Sequence, residues 1–300
     1  MEKPYILHMF TPTPNVSPFD VNMAYDAGFN AVVPYANVTL DQIAALTQDA
    51  IFSRGPKGVK RTGIFIGGRE IGLAADMLEA AKRAMVPPFE VSVFADPSGA
   101  FTTAAGMVAC VEKQLKKVHL TDLSGKNVVV LGGTGPVGAA AAVLASQAGA
   151  QVRIASHTSA TRARMISEVV NARYGATTQP GDASVVDAKL DMIKTADVVL
   201  GAAKAGVQVL SAGELASATQ LLVAADVNAV PPAGIQGVGM MDDGAPLAAA
   251  SGKAVAIGAL AIGNIKYQVQ RGLLESMIAA EKPLYIDFRD AFAAARKLTA

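Results

Sequence analysis

The sequence contains one cysteine, no tryptophan and few charged residues, and the scarcity of cysteine and of charge excludes several classes of protein. Its 300 residues include one cysteine, Cys110, and no tryptophan. A single cysteine forms no intrachain disulfide and no thiolate metal cluster, and it is typical of a reducing compartment. We therefore expect a cytoplasmic protein without a metal site, in which Cys110 is buried in a helix.

Charge is scarce and evenly balanced. Charged residues make up 17% of the chain, the formal net charge is +1, and no long basic run occurs. This pattern argues against binding to nucleic acid or to a membrane surface. No uninterrupted run of about 18 apolar residues suggests a membrane span. Because 51% of the residues are apolar, large cores can be buried, and we expect a globular protein.

Apolar segments alternate with helical segments along almost the whole chain, which predicts a parallel α/β sheet. A helix-start signature at Ser17 and Pro18 follows the first predicted strand, and a capping box from Thr39 to Gln42 precedes the second helix. The predicted strands are YILHMF, NAVVPY, RTGIFIGG and FEVSVFAD, and then NVVVLG, QVRIAS, ADVVLGAA, LLVAAD and AVAIGAL.

Two α/β domains fit this length and pattern, because one domain typically takes about 100–200 residues. Charged and turn residues at 119–127 interrupt the apolar pattern and predict a linker. We expect residues 1–120, completed by C-terminal helices in 264–300, to form the first domain. Residues 121–263 then form the second domain, of Rossmann type.

A glycine-rich turn identifies the second domain as dinucleotide-binding. It follows the strand NVVVLG, opens an Ala-rich helix, and is followed by the strand QVRIAS. Glycines there allow a tight turn and a close approach of the backbone to a pyrophosphate, and the helix N-terminus favours its negative charge. The turn residues are Gly133, Thr134, Gly135, Pro136, Val137 and Gly138.

The end of the next strand bears on the choice between NADP and NAD. An acidic residue there usually accepts the ribose hydroxyls, but this chain has Ser156, His157 and Thr158. A carboxylate would repel a 2′-phosphate, so its absence favours NADP. Arg162 or Arg164, one turn into the following helix, can bind that phosphate. NAD remains a second acceptor, and the alternative for His157, which is the commoner role of such a histidine, is a surface loop residue.

The chain shows no obvious general base for oxidising an alcohol. His8, His119 and His157 lie in no catalytic pattern, no Tyr-x-x-x-Lys occurs, and no residues have zinc-ligand spacing. One reaction needs no base: oxidation of an N–CH₂–N carbon to N=CH–N⁺ removes only a hydride. Positioning of the two reacting carbons then supplies most of the catalysis.

Motifs outside the glycine turn point to a family. FD…YDAG…PYANVT, SRGPKG…IFIGG, DPSGAFTTAAG, LGGTGPVG, AADVNAVPPAGI and IGALAIGNIK occur in that order. Together they resemble the NAD(P)-dependent methylene-tetrahydromethanopterin dehydrogenases of methylotrophic bacteria. The family's second dinucleotide-domain strand tends to end in a basic pair, where this chain has His157 and Thr158.

The resemblance implies hydride transfer from methylene-tetrahydromethanopterin to NADP, giving the methenyl form during formaldehyde oxidation. It also implies a cleft between the two domains and a small homo-oligomer such as a trimer. Lys266 in GNIKYQVQR matches the lysine that the family places at the pterin. A cation beside a forming cation needs a carboxylate partner, so we expect Asp20 or Asp96 near it. The alternatives are a solvated lysine and, for Asp20, a capping-box carboxylate.

The remaining candidates lie at strand ends, where ligands of α/β proteins bind. Those expected at the pterin are Tyr35, Asn37, Gly67, Gly68, Ser98, Thr102 and Thr103, and turn formation or helix capping is the alternative for each. Those expected at the dinucleotide are Ala202 and Ala203 at the nicotinamide ribose, Lys204 at a phosphate, and Asp226 and Asn228 at the carboxamide.

Three other functions stay open. A methylene-tetrahydrofolate dehydrogenase would use the same chemistry, although the missing Tyr-x-x-x-Lys counts against a bifunctional enzyme with cyclohydrolase activity. A non-catalytic NAD(P)-binding sensor would need no second ligand site. A shikimate-type dehydrogenase would need a catalytic Lys–Asp pair at an alcohol.

Overall fold

The computed structural model describes residues 3–300 and divides the chain into two compact units. One unit comprises the residues up to Thr102 together with Tyr267–Ala294, and the other comprises Thr103–Lys266 together with Ala295–Ala300. The expected first domain also included residues 1 and 2, which lie outside the described residues.

Strands and helices alternate along most of both units. Up to the end of the fifth helix they are β1 (Ile6–Phe10), α1 (Pro18–Asp26), β2 (Ala31–Tyr35), α2 (Ile43–Phe52), α3 (Pro56–Val59), β3 (Thr62–Ile66), α4 (Ile71–Arg83), β4 (Ser92–Ala95) and α5 (Ala100–His119). Then follow β5 (Asn127–Leu131), α6 (Pro136–Gln147), β6 (Gln151–Ser156), α7 (Ala160–Tyr174), β7 (Gln179–Asp182), α8 (Val186–Thr195), β8 (Val198–Gly201), α9 (Ala212–Leu215), β9 (Val223–Asp226), β10 (Asp243–Pro246), β11 (Val255–Ile257), α10 (Ala259–Ala279), β12 (Tyr285–Ile286) and α11 (Phe288–Thr299). The alternation is interrupted where α3 follows α2 directly and where β9, β10 and β11 follow one another without a helix between them.

The first unit contains a five-stranded sheet in the order β12-β4-β3-β1-β2, and every pairing in it is parallel. Strand β3 is buried along its whole length, as expected for a strand covered on both faces. Helix residues Leu274 and Met277 of α10 belong to the same core as Phe65 and Phe94. Because these strands are all parallel, their carboxyl ends lie at the same edge of the sheet.

The second unit contains a seven-stranded sheet in the order β10-β11-β9-β8-β5-β6-β7. Strand β5, which precedes the glycine turn, lies between β8 and β6 in parallel register. Only β10 runs antiparallel, at the edge beside β11. The α/β fold class with a Rossmann-type sheet is therefore confirmed.

Local sequence signals explain how two helices begin. The capping box at Thr39 is confirmed, because its backbone N–H donates to Gln42 Oε1 at 3.0 Å. A short 3₁₀ turn there leads into α2. Helix α1 starts at Pro18 as predicted, but Ser17 makes no side-chain capping hydrogen bond.

The division between the two units differs from the predicted boundary at residue 120. Helix α5 belongs to the second unit from Thr103 onward, so the predicted linker at 119–127 lies within that unit. Contacts with the second sheet explain the difference. On β10, Asp243 accepts hydrogen bonds from Lys113 Nζ at 2.6 Å and from the buried Gln114 Nε2 at 2.7 Å.

Candidate active site

A cavity of about 440 Å³ opens at the carboxyl edge of the first sheet. Loops after β1, β3 and β4 and the start of α1 form its wall. The lining includes the predicted residues Asp20, Gly67, Gly68 and Ser98, and in addition Thr11, Thr13, Asn15, Ser17 and Arg69. Its volume is in the range of small-molecule sites, which take about 300–1,000 Å³.

Asp20 is the buried carboxylate of this cavity. It lies in the first turn of α1 and is only 4% exposed. Its Oδ1 accepts a hydrogen bond of 2.7 Å from Nε2 of Gln270, a fully buried side chain of α10. A carboxylate is retained in such surroundings when it is hydrogen-bonded, because the hydrogen bonds offset the cost of desolvation.

The glycines after β3 and the serine after β4 meet in this wall. Gly68 has a φ of +115°, a conformation that favours glycine, and a Cβ there would lie 3.0 Å from Cγ of Pro12. Ser98 also has a positive φ, of 54°, and its hydroxyl donates to the Gly68 carbonyl at 2.8 Å. The two loops are thereby fixed to each other.

Tyr35 is the last residue of β2 and Asn37 lies two residues beyond it, and neither is among the lining residues of the cavity. The Tyr35 ring packs edge-on against Phe10 at 5.3 Å, and its hydroxyl lies 3.2 Å from Nδ1 of His8. Burial lowers the pKa of His8, and the charge of Arg54 adds to this effect. Asn37 is exposed with a φ of 55°, and its backbone N–H donates to Thr13.

Asp96 and Thr102 contact each other at the start of α5. Both are fully buried, and Thr102 Oγ1 donates to Asp96 Oδ2 at 2.6 Å. The other oxygen of Asp96 accepts from the backbone N–H groups of Phe101 and Thr102 at 2.9 and 3.2 Å. These contacts are those of a helix cap and favour the capping alternative. Thr103 is half-buried.

The glycine turn has the shape that a pyrophosphate needs. A Cβ on Gly133 would lie 2.8 Å from the Val130 carbonyl oxygen, and one on Gly138 would lie 2.6 Å from the Gly132 carbonyl oxygen, so both positions require glycine. A Cβ on Gly135 would lie no closer than 3.4 Å to the Gly132 carbonyl oxygen, so the space beside this glycine is less crowded and a ligand can approach its backbone. Helix α6 begins directly after it at Pro136, and Val137 is half-buried in its first turn. The residues therefore fit a dinucleotide.

The end of β6 presents one buried hydroxyl and several exposed groups. Ser156 is fully buried, and its Oγ accepts from the backbone N–H groups of Thr158 and Ser159 at 3.2 and 3.4 Å. His157, Thr158 and Arg162 are exposed. The Arg162 Nε donates to Thr134 Oγ1 at 3.4 Å, so this guanidinium lies at the glycine turn.

Asp226 and Asn228 organise the loop that follows β9. Asp226 accepts from the N–H groups of Asn228 and Ile235 at 3.0 and 2.9 Å. Burial raises the pKa of Asp226, and these backbone donors act in the opposite direction. Asn228 donates to the Pro232 carbonyl at 2.8 Å and accepts from the N–H groups of Gly206 and Val230.

The segment after β8 packs against the glycine turn. A Cβ on Gly132 would lie 2.6 Å from the backbone nitrogen of Ala203 and 2.7 Å from the carbonyl carbon of Ala202, and Gly132 has a φ of +77°. Lys204 is exposed. Gly132 was not among the predicted residues, although it stands directly before the glycine fingerprint.

Lys266 is half-buried on α10. A Cβ on Gly106 of α5 would lie 3.1 Å from the Ile262 carbonyl oxygen and 3.3 Å from the Lys266 nitrogen, so the two helices pack closely at this turn. Lys266 and Gln270 are four residues apart and therefore share one face of α10.

Within residues 3–300, no three His, Cys, Asp or Glu side chains come together as a metal site. No helix in that part of the chain is long and apolar enough to cross a membrane. Cys110 is buried as predicted, and burial raises the pKa of its thiol to about 12.

A mostly parallel sheet with this glycine turn, in a chain that carries a separate α/β unit, defines the class of proteins with a Rossmann-type fold. Two solved structures share the fold. They are shikimate 5-dehydrogenase from Listeria monocytogenes in complex with shikimate and NAD (13% identity, 94% of this chain and 93% of that chain, TM-score 0.53) and quinate dehydrogenase from Corynebacterium glutamicum in complex with NAD (15%, 97% and 98%, TM-score 0.51).

Sequence similarity identifies the family within this class. The chain is 50% identical over 287 residues, 96% of each chain, to the NAD(P)-dependent methylenetetrahydromethanopterin dehydrogenase of Methylorubrum extorquens. It is 30% identical over 280 residues, 93% of this chain and 94% of the relative, to the bifunctional protein MdtA of the same organism. Residues 18–98 match the family model described as methylene-tetrahydromethanopterin dehydrogenase, N-terminal. The chain belongs to the NAD(P)-dependent methylene-tetrahydromethanopterin dehydrogenase family.

Proposed function

We propose that this protein transfers a hydride from methylene-tetrahydromethanopterin to NADP, with NAD as a second acceptor, and forms methenyl-tetrahydromethanopterin in one-carbon oxidation. The observation that carries the proposal is the 50% identity, over 96% of the chain, to a relative named for this substrate. The first unit takes the pterin and the second takes the dinucleotide, and the active protein is a homo-oligomer such as a trimer.

The reaction accounts for the lack of an obvious general base. The methylene carbon between two nitrogens gives up one hydrogen with both bonding electrons, and it becomes the N=CH–N⁺ carbon of the methenyl product. The bound dinucleotide supplies the electrophilic nicotinamide carbon that receives them. No O–H or N–H proton leaves, so the protein has to position the reactants and stabilise a cation.

Asp20 is the group best placed to stabilise that cation. It is a nearly buried carboxylate in the wall of the cavity, where the effective dielectric constant is lower than in water and charge interactions are stronger. We assign to Lys266 the anchoring of the pterin ring. The negative charge of Asp20 compensates the charge of the forming cation.

Polar groups around the cavity suit the edges of a pterin ring. Ser98, Thr11 and Thr13 supply hydroxyls, and Gly67 and Gly68 allow a flat ring to approach the backbone. Tyr35 and Asn37 support the loops from the end of β2. Asp96, Thr102 and Thr103 order the start of α5, so their contribution is to position that helix.

The glycine turn and the start of α6 hold the pyrophosphate in this proposal. Selection of NADP falls mainly on Arg162, with His157 and Thr158, because the Ser156 hydroxyl already accepts from the backbone of its own turn. Ala202 and Ala203 border the ribose, Lys204 pairs with a phosphate from its exposed position, and the loop held by Asp226 and Asn228 contacts the carboxamide.

The test is turnover of the purified protein with methylene-tetrahydromethanopterin or methylene-tetrahydrofolate, each with NADP or NAD. We expect equal molar formation of reduced dinucleotide and methenyl-pterin, fastest with the methanopterin and NADP. Turnover with methylene-tetrahydrofolate but not with methylene-tetrahydromethanopterin would contradict the proposed substrate and identify the folate in its place. NADP binding without turnover in any mixture would indicate a sensor.

A pair of lysine variants tests the role of Lys266. We expect Lys266→Ala to lower kcat/KM by about 10- to 100-fold, the loss expected for one charge-assisted contact, while the Kd for NADP stays unchanged. Lys253→Ala, in an exposed turn of the same unit, is the matched control and should behave as wild type. Equal kinetics for the two variants would remove Lys266 from the site.

A further inference from the structure

Gln270 is a buried polar side chain that belongs to none of the sequence motifs and has no role in the proposed reaction as described above. It is 0% exposed on α10, next to Val269, which is also buried. Its Nε2 donates to Asp20 Oδ1 at 2.7 Å, across 250 residues of sequence. A buried amide costs free energy unless it is hydrogen-bonded, so its retention inside a core needs a reason.

We propose that Gln270 is the positioning residue that fixes the Asp20 carboxylate in the wall of the cavity and preserves its negative charge for the reaction. The inference rests on the proposed function, because Asp20 acts there on the developing cation. Gln270 itself does not contact the reacting atoms in this account. It determines where one oxygen of Asp20 lies.

The chemistry of the amide explains why glutamine suits this position. A lysine or arginine would donate a stronger hydrogen bond, but its charge would cancel that of Asp20. An amide donates without a net charge, so the carboxylate keeps its full effect on a forming N=CH–N⁺ group. An apolar side chain would leave Oδ1 without this donor in a buried setting, which is costly.

The surroundings of Gln270 explain why its position is reproducible. Gln270 is on a long helix whose buried residues Leu274 and Met277 belong to the core of the first unit. Packing on a rigid element restricts the side chain to few rotamers, which is how a supporting residue keeps a functional group in place. The spacing of four residues to Lys266 places the proposed pterin anchor on the same face of α10.

The test compares three variants of the full-length protein with the wild type. Gln270→Met keeps the length of the side chain but removes its donor, and Gln270→Glu replaces the amide by a titratable carboxyl. Gln268→Met makes the same chemical change at an exposed position of the same helix and is the matched control. For each we measure kcat/KM against pH with methylene-tetrahydromethanopterin and NADP, and the Kd for the pterin by fluorescence titration.

We expect Gln270→Met to lower kcat/KM by about 10- to 100-fold, the effect of losing one hydrogen bond to a charged group. Gln268→Met should match the wild type. The carboxyl introduced by Gln270→Glu donates to Asp20 only when protonated and repels it when ionised. The ratio of variant to wild-type kcat/KM should therefore rise as the pH falls from about 8 to about 6.

A merely structural role would change stability without this pH signature. Wild-type kcat/KM in Gln270→Met, or a constant ratio for Gln270→Glu across the pH range, would overturn the inference while leaving the proposed function intact. Should Gln270→Met fail to fold, the pH profile of Gln270→Glu decides alone. A wild type without turnover would overturn the proposed function, and the inference that rests on it would fall with it.

Discussion

Gly135→Ala separates cofactor binding from folding at the glycine turn. Gly135 has φ −84° and ψ 167°, which alanine adopts without strain. The nearest atom to the added Cβ would be the Gly132 carbonyl oxygen at 3.4 Å, an ordinary contact distance. We therefore expect the free energy of unfolding to stay within about 1 kcal/mol of wild type.

The effect on the dinucleotide should be much larger. The second glycine of such a turn lets the backbone approach the pyrophosphate, and a methyl group there holds the phosphate away. Losing one charge-assisted hydrogen bond costs about 1.5–3 kcal/mol, which corresponds to about 10- to 150-fold weaker binding.

Two titrations measure this prediction. The Kd for NADPH follows from fluorescence, and the free energy of unfolding follows from urea denaturation of the same preparations. Gly272→Ala is the matched control, because among the described residues its added Cβ would have no atom within 4 Å apart from the neighbouring backbone of its own helix, α10. This variant should bind NADPH as wild type does. An unchanged Kd in folded Gly135→Ala would refute the account of the turn.

Three further changes have defined outcomes. Gly138→Ala should lower the free energy of unfolding by about 1–3 kcal/mol in urea denaturation, because the Cβ would lie 2.6 Å from the Gly132 carbonyl oxygen; wild-type stability would contradict this. Arg162→Gln should raise the KM for NADP about 10-fold and leave the KM for NAD unchanged. Arg173→Gln, at an exposed position in the last turn of the same helix, is the control and should behave as wild type. Equal effects of Arg162→Gln on both dinucleotides would argue against selection by Arg162. Burial lowers the pKa of His8 in the folded protein. Its contribution to stability is therefore fully present above its unfolded-state pKa of about 6.5 and is lost as the pH falls through the lower folded-state pKa. The difference in the free energy of unfolding between wild type and His8→Gln should shrink over that pH range, and a pH-independent difference would be inconsistent with a neutral His8.

Local signals were sufficient for much of the fold. Buried strands such as Thr62–Ile66 are short apolar runs bounded by turn residues, and the glycine turn combines a strand, a fixed spacing and a helix. Strand β7 was missed because its sequence QPGD has low strand propensity. It becomes a strand through pairing with β6, in which Arg153 is opposite Gln179, and such a tertiary effect has no local pattern.

The roles of some residues at the candidate site also depend on tertiary contacts that have no local sequence pattern. Asp96 stands after a strand and before a helix, a position that suits both a ligand carboxylate and a helix cap. Its hydrogen bonds from Phe101 and Thr102 favour the cap. Gln270 was missed because its partner Asp20 is 250 residues away. A glutamine in a helix has no signal of its own until folding supplies the contact.

The most direct test of the central claim uses methylene-tetrahydromethanopterin deuterated at the methylene carbon. We expect this carbon to pass its hydrogen directly to the nicotinamide. Each transferred deuterium should therefore appear in the reduced dinucleotide, where mass spectrometry detects it. No transferred deuterium should appear in the solvent. Deuterium in the water, with unlabelled reduced dinucleotide, would contradict direct hydride transfer and would require a proton-transferring group that the account does not contain.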